Sequence, residues 1–230
     1  MNIGRYLSDF VSLVFPKICH ACGTSLNQAE EHFCTICIHQ LPYTNFHLQT
    51  DHKLRKQFWG RVNIQSAVAY LYFNKGGKVQ NIMHQLKYNK QAQLGVALGK
   101  MYAADLKDIP HYQQAEAIIP VPLHPSKLKK RGYNQSEEFA KGLSEVLEIP
   151  VFPHILIRKS IKDSQTFKSR INRFENMQEV FTTTKGFENL KNIILVDDTI
   201  TTGATLEACV IALQEVGVTE INIVGIAFTE

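Results

Sequence analysis

The chain is 230 residues long, 44% hydrophobic and 20% charged, the make-up of a soluble globular protein able to bury a sizeable core. That length suits one full domain plus a small appendage. A formal charge of +4 and a pI near 8.7 fit an anionic ligand, and do not by themselves mark a nucleic-acid binder.

In chain order, Leu7, Phe10, Val11, Leu13, Val14 and Phe15 are interrupted by Asp9. They lack a basic leader and a small-residue cleavage site, and the run is too short to span a bilayer. The expectation is an amphipathic helix packed on the body of a cytoplasmic protein, with no membrane insertion. Cys19-x2-Cys22 and Cys34-x2-Cys37 come next, eleven residues apart. Two such knuckles bring four thiolates within reach of one structural Zn²⁺, which replaces the core that so short a segment cannot build. Two disulfides are the alternative, and a cytoplasmic setting disfavours them. His20, His32 and His39 lie near enough to replace a cysteine, but the simpler account leaves them exposed. With four protein ligands the site is closed, which argues against catalytic zinc. Gln49 to Lys56 reads as a polar loop, and Trp59 as the anchor of this module on the larger domain.

From Val62 to Phe73 the apolar residues suggest a strand, ended by Asn74-Lys75-Gly76-Gly77. Val79, Ile82, Met83 and Leu86 recur at helical spacing. Lys87-Tyr88 closes that helix; a surface lysine is the ordinary reading of Lys87, and a contact to a phosphate group of a ligand is the alternative. A second helix runs from Leu94 to Leu106, closed by Pro110. Ala117 to Pro122 is a strand ended by prolines. A basic loop then carries Val121, Pro122, Leu123, His124, Lys127, Lys130 and Arg131 towards a helix over 134–147. Val151 to Ile157 reads as a short strand, and 158–176 as a charged stretch that serves as a lid or as a nucleic-acid contact. Val180 to Thr183 and Ile221 to Phe228 complete the strands. Strands alternating with helices predict an α/β fold with a mostly parallel sheet flanked by helices.

The segment with the most chemistry is Ile193-Ile194-Leu195-Val196-Asp197-Asp198-Thr199-Ile200-Thr201-Thr202-Gly203-Ala204-Thr205. Four apolar residues read as a buried parallel strand that ends at two adjacent acids. The small, hydroxyl-rich loop then enters a helix containing Cys209, read as a buried apolar residue. Free N–H groups and the positive dipole end at such a helix start hold a phosphate. Paired carboxylates beside it repel a second phosphate but accept hydrogen bonds from vicinal hydroxyls. A ribose 5-phosphate fits: hydroxyls on Asp197 and Asp198, phosphate on Thr201 to Thr205. Gly203 lets the backbone turn tightly there. No Walker A sequence occurs, and the acids are adjacent rather than two apart as a haloacid-type phosphatase requires. In a parallel sheet the basic loop gathers at the same strand ends, placing Lys127, Lys130 and Arg131 where a pyrophosphate needs neutralising.

The acidic-pair loop resembles the phosphoribosyl-pyrophosphate (PRPP) loop of type I phosphoribosyltransferases. Together with the four cysteines, Lys87-Tyr88, Pro120-Val121-Pro122-Leu123-His124, Arg131-Gly132-Tyr133-Asn134-Gln135, Gln165-Thr166, Arg173 and Asn176, it resembles the ComF family, named for a competence protein of natural transformation and related to GntX. The resemblance implies a zinc-ribbon-like module over 1–60 and a type I phosphoribosyltransferase-like domain over 61–230. It implies PRPP as ligand, with Mg²⁺ between pyrophosphate and ribose, bound by Asp197, Asp198, Thr199, Thr201, Thr202, Gly203, Ala204 and Thr205. A lid carrying Lys159, Gln165, Thr166, Arg170 and Arg173 would exclude water. Arginine is common in the family where this chain has Lys127 and Lys130; charge is kept and the bidentate fork is lost. Three functions share this site: phosphoribosyl transfer with release of pyrophosphate, a non-catalytic single-stranded-DNA-binding role in DNA uptake, and PRPP-responsive regulation through a protein partner.

Overall fold

A computed structural model describes residues 16–158, 181–187 and 189–230. The expected N-terminal helix and the lid residues Lys159, Gln165, Thr166, Arg170 and Arg173 lie outside the described residues.

The core is a four-stranded parallel sheet formed by β1 (Ser66–Tyr72), β2 (Ala117–Pro120), β5 (Asn192–Ile200) and β6 (Glu220–Phe228), in the order β1-β6-β5-β2. Ile193 to Val196 are fully buried, as a strand covered on both faces must be. β5 is longer than its apolar run predicts. Its ladder to β6 continues past the acids, with Asp197 opposite Gly225 and Ile200 opposite Phe228. The acid pair therefore sits within a strand, held by the neighbouring backbone, and not in the loop after it.

The helix read from Val79 to Leu86 keeps its predicted face, and in the one read from Leu94 to Leu106 Ala97 and Met101 are only half-buried. α3 (Lys78–Tyr88) buries Val79, Ile82, Met83 and Leu86, the four positions that set its period. α4 (Ala92–Leu106) packs along α7 (Gln135–Leu147), which in turn lies on β5 and β2. α8 (Ala204–Gln214) leads from β5 to β6 and buries Cys209. β3 (Leu156–Arg158) and β4 (Phe181–Thr183) form a separate antiparallel pair beside α8.

Several expectations are corrected. The strand expected from Val62 starts at Ser66, paired with Asn222 of β6; Val62 and Ile64 pack on the core from outside the ladder. The stretch 151–157 divides: Val151 bridges Ile118, and β3 begins only at Leu156. Pro110 starts the helical turn α5 (Pro110–Gln113) rather than closing α4, as a proline at a first helical position can. The basic loop is mostly a short helix, α6 (Pro125–Arg131), capped by the His124 ring at its start and by left-handed Gly132 (φ 87°) at its end. The four-cysteine region runs into α1 (Thr35–Gln40), and the expected polar loop contains α2 (Lys53–Lys56), which buries Leu54. Trp59 is 61% exposed, whereas its neighbour Phe58 is fully buried and is the residue that anchors the segment. His39 is exposed as expected, but His20 and His32 stack on one another half-buried, and burial lowers the His20 pKa.

Candidate functional site

Loops from neighbouring strands diverge between β2 and β5. The chain leaves β5 towards β6 on one side, and leaves β2 towards α7 and Val151 on the other. Such a switch point opens a crevice at the carboxyl ends of the strands. Two adjoining cavities occupy it.

The smaller, of about 40 Å³, is lined by Thr199, Thr201, Thr202, Gly203, Ala204 and Thr205, with Asp197 at its edge. Its floor is the start of α8, where the first four N–H groups have no intrahelical acceptor. Gly203 caps that helix at φ 73°, and a Cβ there would lie 3.0 Å from the buried Phe58 ring. Glycine is thus required twice, for the left-handed turn and for the close approach of Phe58. Arg61 fixes the loop from outside: its Nη1 donates to the Thr202 carbonyl at 3.0 Å and its other nitrogen pairs with Glu207.

The larger cavity, of about 200 Å³, brings together Val121, Pro122, Leu123, Lys127 and Arg131 from the β2 side with Asp197, Asp198, Thr199 and Thr205 from the β5 side. Lys87 also lines it, as do Ser136 and Arg158, which no sequence motif singles out. Two expected members stand apart. His124 is occupied as the α6 cap, its Nδ1 accepting from the Ser126 N–H at 3.2 Å, and Lys130 lies over the Tyr88 ring at 5.9 Å.

The acids are held by the segment Arg131 to Ser136. Asn134 caps α7 and donates to the Val121 carbonyl at 3.0 Å, closing the segment that leaves β2 back onto its own start. The Ser136 hydroxyl, in the first turn of α7, donates to Asp197 Oδ1 at 3.2 Å, and the Asp198 N–H donates to the same oxygen at 2.8 Å. Arg131 donates to Gln135 at 2.6 Å and stands 3.8 Å from Asp198 Oδ2. Lys87 lies 3.1 Å from Asp198 Oδ1 and donates to the Thr199 hydroxyl at 3.0 Å. The cavity thus sets four cations, Lys87, Lys127, Arg131 and Arg158, around two carboxyls, a balance suited to a polyanion that also carries hydroxyls.

Burial, and then the Asp198 charge beside it, push the Asp197 carboxyl up to about 7, against the pull of the Asp198 N–H, Lys87 and Ser136. The folded chain therefore holds a proton on Asp197 at pH values where the unfolded chain has released it. The contribution of Asp197 to stability falls as pH rises from about 4 to about 7 and stays lost above, each pKa unit being worth about 1.4 kcal/mol. Asp197→Asn keeps the acceptor oxygen and never ionises. Its melting temperature is expected to match the parent's near pH 4 and to exceed it by several degrees at pH 8, read from thermal melts across that range.

At the other end, the Sγ atoms of Cys19, Cys22, Cys34 and Cys37 all lie within 4.8 Å of one another. The Cys22–Cys34 separation of 3.8 Å matches the edge of a tetrahedron with Zn–S bonds of about 2.3 Å. The Cys34 N–H points at Cys19 Sγ (3.3 Å) and the Cys37 N–H at Cys34 Sγ (3.4 Å), as in a metal knuckle. Four sulfurs this close repel one another as thiolates unless a cation sits among them, so the donor set fits Zn²⁺.

Residues 134–228 match the family described as "Phosphoribosyl transferase domain". The chain is similar to "Competence protein F" of Haemophilus influenzae, 32% identical over 151 residues, covering 64% of this chain and 66% of that protein. It is similar to "DNA utilization protein YhgH" of Escherichia coli K12, 24% identical over 210 residues, covering 84% and 89%. It is also similar to "Competence protein ComFC" of Bacillus subtilis, 25% identical over 210 residues, covering 87% and 79%. No helix among the described residues is long and apolar enough to cross a membrane.

Proposed function

Because the chain belongs to the ComF family and carries a phosphoribosyl transferase domain on a type I fold, we propose that it binds PRPP in the crevice between β2 and β5 and transfers its phosphoribosyl group with release of pyrophosphate. The observation that carries this reading is the adjacency of the two cavities across Asp197, Thr199 and Thr205. A phosphate seated on the start of α8 leaves the sugar hydroxyls at the acid pair and the diphosphate among Lys127, Arg131 and Arg158. Asp197 and Asp198 orient the ribose as hydrogen-bond acceptors. The cations draw off the charge that builds on the leaving diphosphate as the anomeric carbon becomes oxocarbenium-like. Bound Mg²⁺ would supply further neutralisation of that diphosphate. The donors fit a metal held mainly by the ligand's own oxygens, since Asp198 already faces two cations. Structural zinc on the four cysteines and a cytoplasmic setting complete the reading.

A second reading takes its support from the names of the relatives, which concern competence and DNA utilisation, and from the basic rim where Lys130 and Arg131 flank the exposed ring of Tyr88. On that reading the protein handles single-stranded DNA or meets protein partners of DNA uptake, and PRPP tunes it. Thermal stabilisation by PRPP, with and without Mg²⁺, tests the premise that both readings share. At a hundredfold excess over Kd the gain is about 2.7 kcal/mol, a shift of several degrees. Absence of any shift removes both. Given binding, pyrophosphate release with a nucleobase or amine acceptor favours transfer. Salt-dependent capture of an oligonucleotide without turnover favours the second reading.

A further inference from the structure

A lysine in the last turn of an exposed helix is ordinarily solvated, its stem lying along the surface and its head in water. Lys87 departs from that. Its side chain is only 20% exposed, and its ammonium sits between Asp198 Oδ1 at 3.1 Å and the Thr199 hydroxyl at 3.0 Å, beside a carboxylate only 15% exposed. Arg131 faces the other oxygen of the same carboxylate at 3.8 Å. Each oxygen of Asp198 thus has its own positive partner, supplied from α3 on one side and from the end of α6 on the other.

We propose that Lys87 is the resident counter-cation of the acid pair, so that this chain recognises a ribose 5-phosphate with no divalent cation on its carboxylates. This rests on the ribose-phosphate reading of the crevice and adds to it the charge chemistry of the sugar subsite. Mg²⁺ demands a near-octahedral shell of oxygens at about 2.0–2.1 Å, and an ion placed directly on Asp198 would meet two cations already there. A carboxylate accepts about four hydrogen bonds, so after Lys87 has taken one, Asp198 still has lone pairs for sugar hydroxyls. Thr199 holds the lysine head in place, which makes Lys87 a positioning residue for the acids. Magnesium then belongs to the ligand's own oxygens and not to the acid pair.

Ribose 5-phosphate separates these roles, because it has no diphosphate through which Lys87 could act. Its titration into the full chain is measured by calorimetry, in EDTA and in Mg²⁺ at equal ionic strength, for the parent and for Lys87→Met. The parent is expected to bind equally well in both buffers. Lys87→Met is expected to lose about tenfold or more in EDTA, the scale of a lost charge-assisted contact, and to regain part of that loss when Mg²⁺ is added. A merely structural lysine would not give metal rescue. A parent that binds ribose 5-phosphate only with Mg²⁺ overturns the proposal, as does a variant that binds like the parent in EDTA. The parent's metal indifference is tested whether or not the variant folds. If neither ribose 5-phosphate nor PRPP binds the parent in either buffer, the ribose-phosphate reading itself has failed.

Discussion

Gly142→Ala is expected to destabilise the fold strongly, although helix propensity alone predicts a gain of about 1 kcal/mol for glycine to alanine in a helix interior. Gly142 lies in the middle of α7, where that helix meets α4. A Cβ built there falls 2.1 Å from the Val96 carbonyl oxygen, 2.8 Å from the Gly99 Cα and 2.9 Å from the Lys100 nitrogen. Across the contact, a Cβ on Gly99 would fall 2.3 Å from the Phe139 carbonyl oxygen. All these neighbours are backbone, so no rotamer change relieves the clash and the helices must separate. Such overpacking costs about 3 kcal/mol, which lowers the melting temperature by about 6–12 °C in a chain of this size. The effect reaches the site, because the first turn of α7 carries the Ser136 hydroxyl that holds Asp197. Gly132→Ala is the control. It adds a methyl in open space and pays only for its left-handed φ of 87°, about 1 kcal/mol. Thermal melts of both variants check the order, and a Gly142→Ala melt equal to or above the parent's would overturn it.

Whatever depends on local pattern is legible in the chain alone. The four-residue apolar run of β5, the four periodic positions of α3 and the cysteine spacing all translate directly into burial or proximity. The hydroxyl-rich loop after the acids also lies where a strand-to-helix turn must put it. The illegible features depend on which partner arrives from elsewhere. β5 runs on through Asp197 and Asp198 because β6 continues beside it, a fact about the partner strand. Phe58 rather than Trp59 is buried because the Gly203 turn leaves a space of that shape beside it. Gly99 and Gly142 look like weak points in two helices until the helices are placed in contact. α6 reads as a loop in sequence because it buries nothing and so has no apolar period, although Pro125 and Gly132 mark its two ends. Ser136 and Arg158 carry no signal beyond their positions, one residue past Gln135 and at the head of the charged stretch.

Asp198→Ala is expected to split sugar recognition from phosphate recognition, which makes it the sharpest probe of the site. The variant leaves the start of α8 untouched: Thr201 to Thr205, the Arg61 bond to the Thr202 carbonyl and the Phe58 contact of Gly203 all remain. Inorganic phosphate, which needs only that cradle, should bind at least as well as to the parent. It should bind better, since removing one negative charge leaves Lys87 and Arg131 unpaired at the cavity wall. Ribose 5-phosphate should lose affinity by about tenfold to a hundredfold, because a carboxylate that accepts from vicinal hydroxyls contributes about 1.5–3 kcal/mol as a charge-assisted acceptor. Calorimetric titration of phosphate, diphosphate and ribose 5-phosphate into parent and variant gives all three affinities in one buffer. Equal losses for phosphate and ribose 5-phosphate would mean that the acid pair merely props up the loop. Opposite signs would mean that the carboxylate reads the sugar and the helix start reads the phosphate. The geometry favours the second outcome, because Asp198 points at Lys87 and Arg131 in the larger cavity while the phosphate cradle is braced from its far side by Arg61 and Phe58.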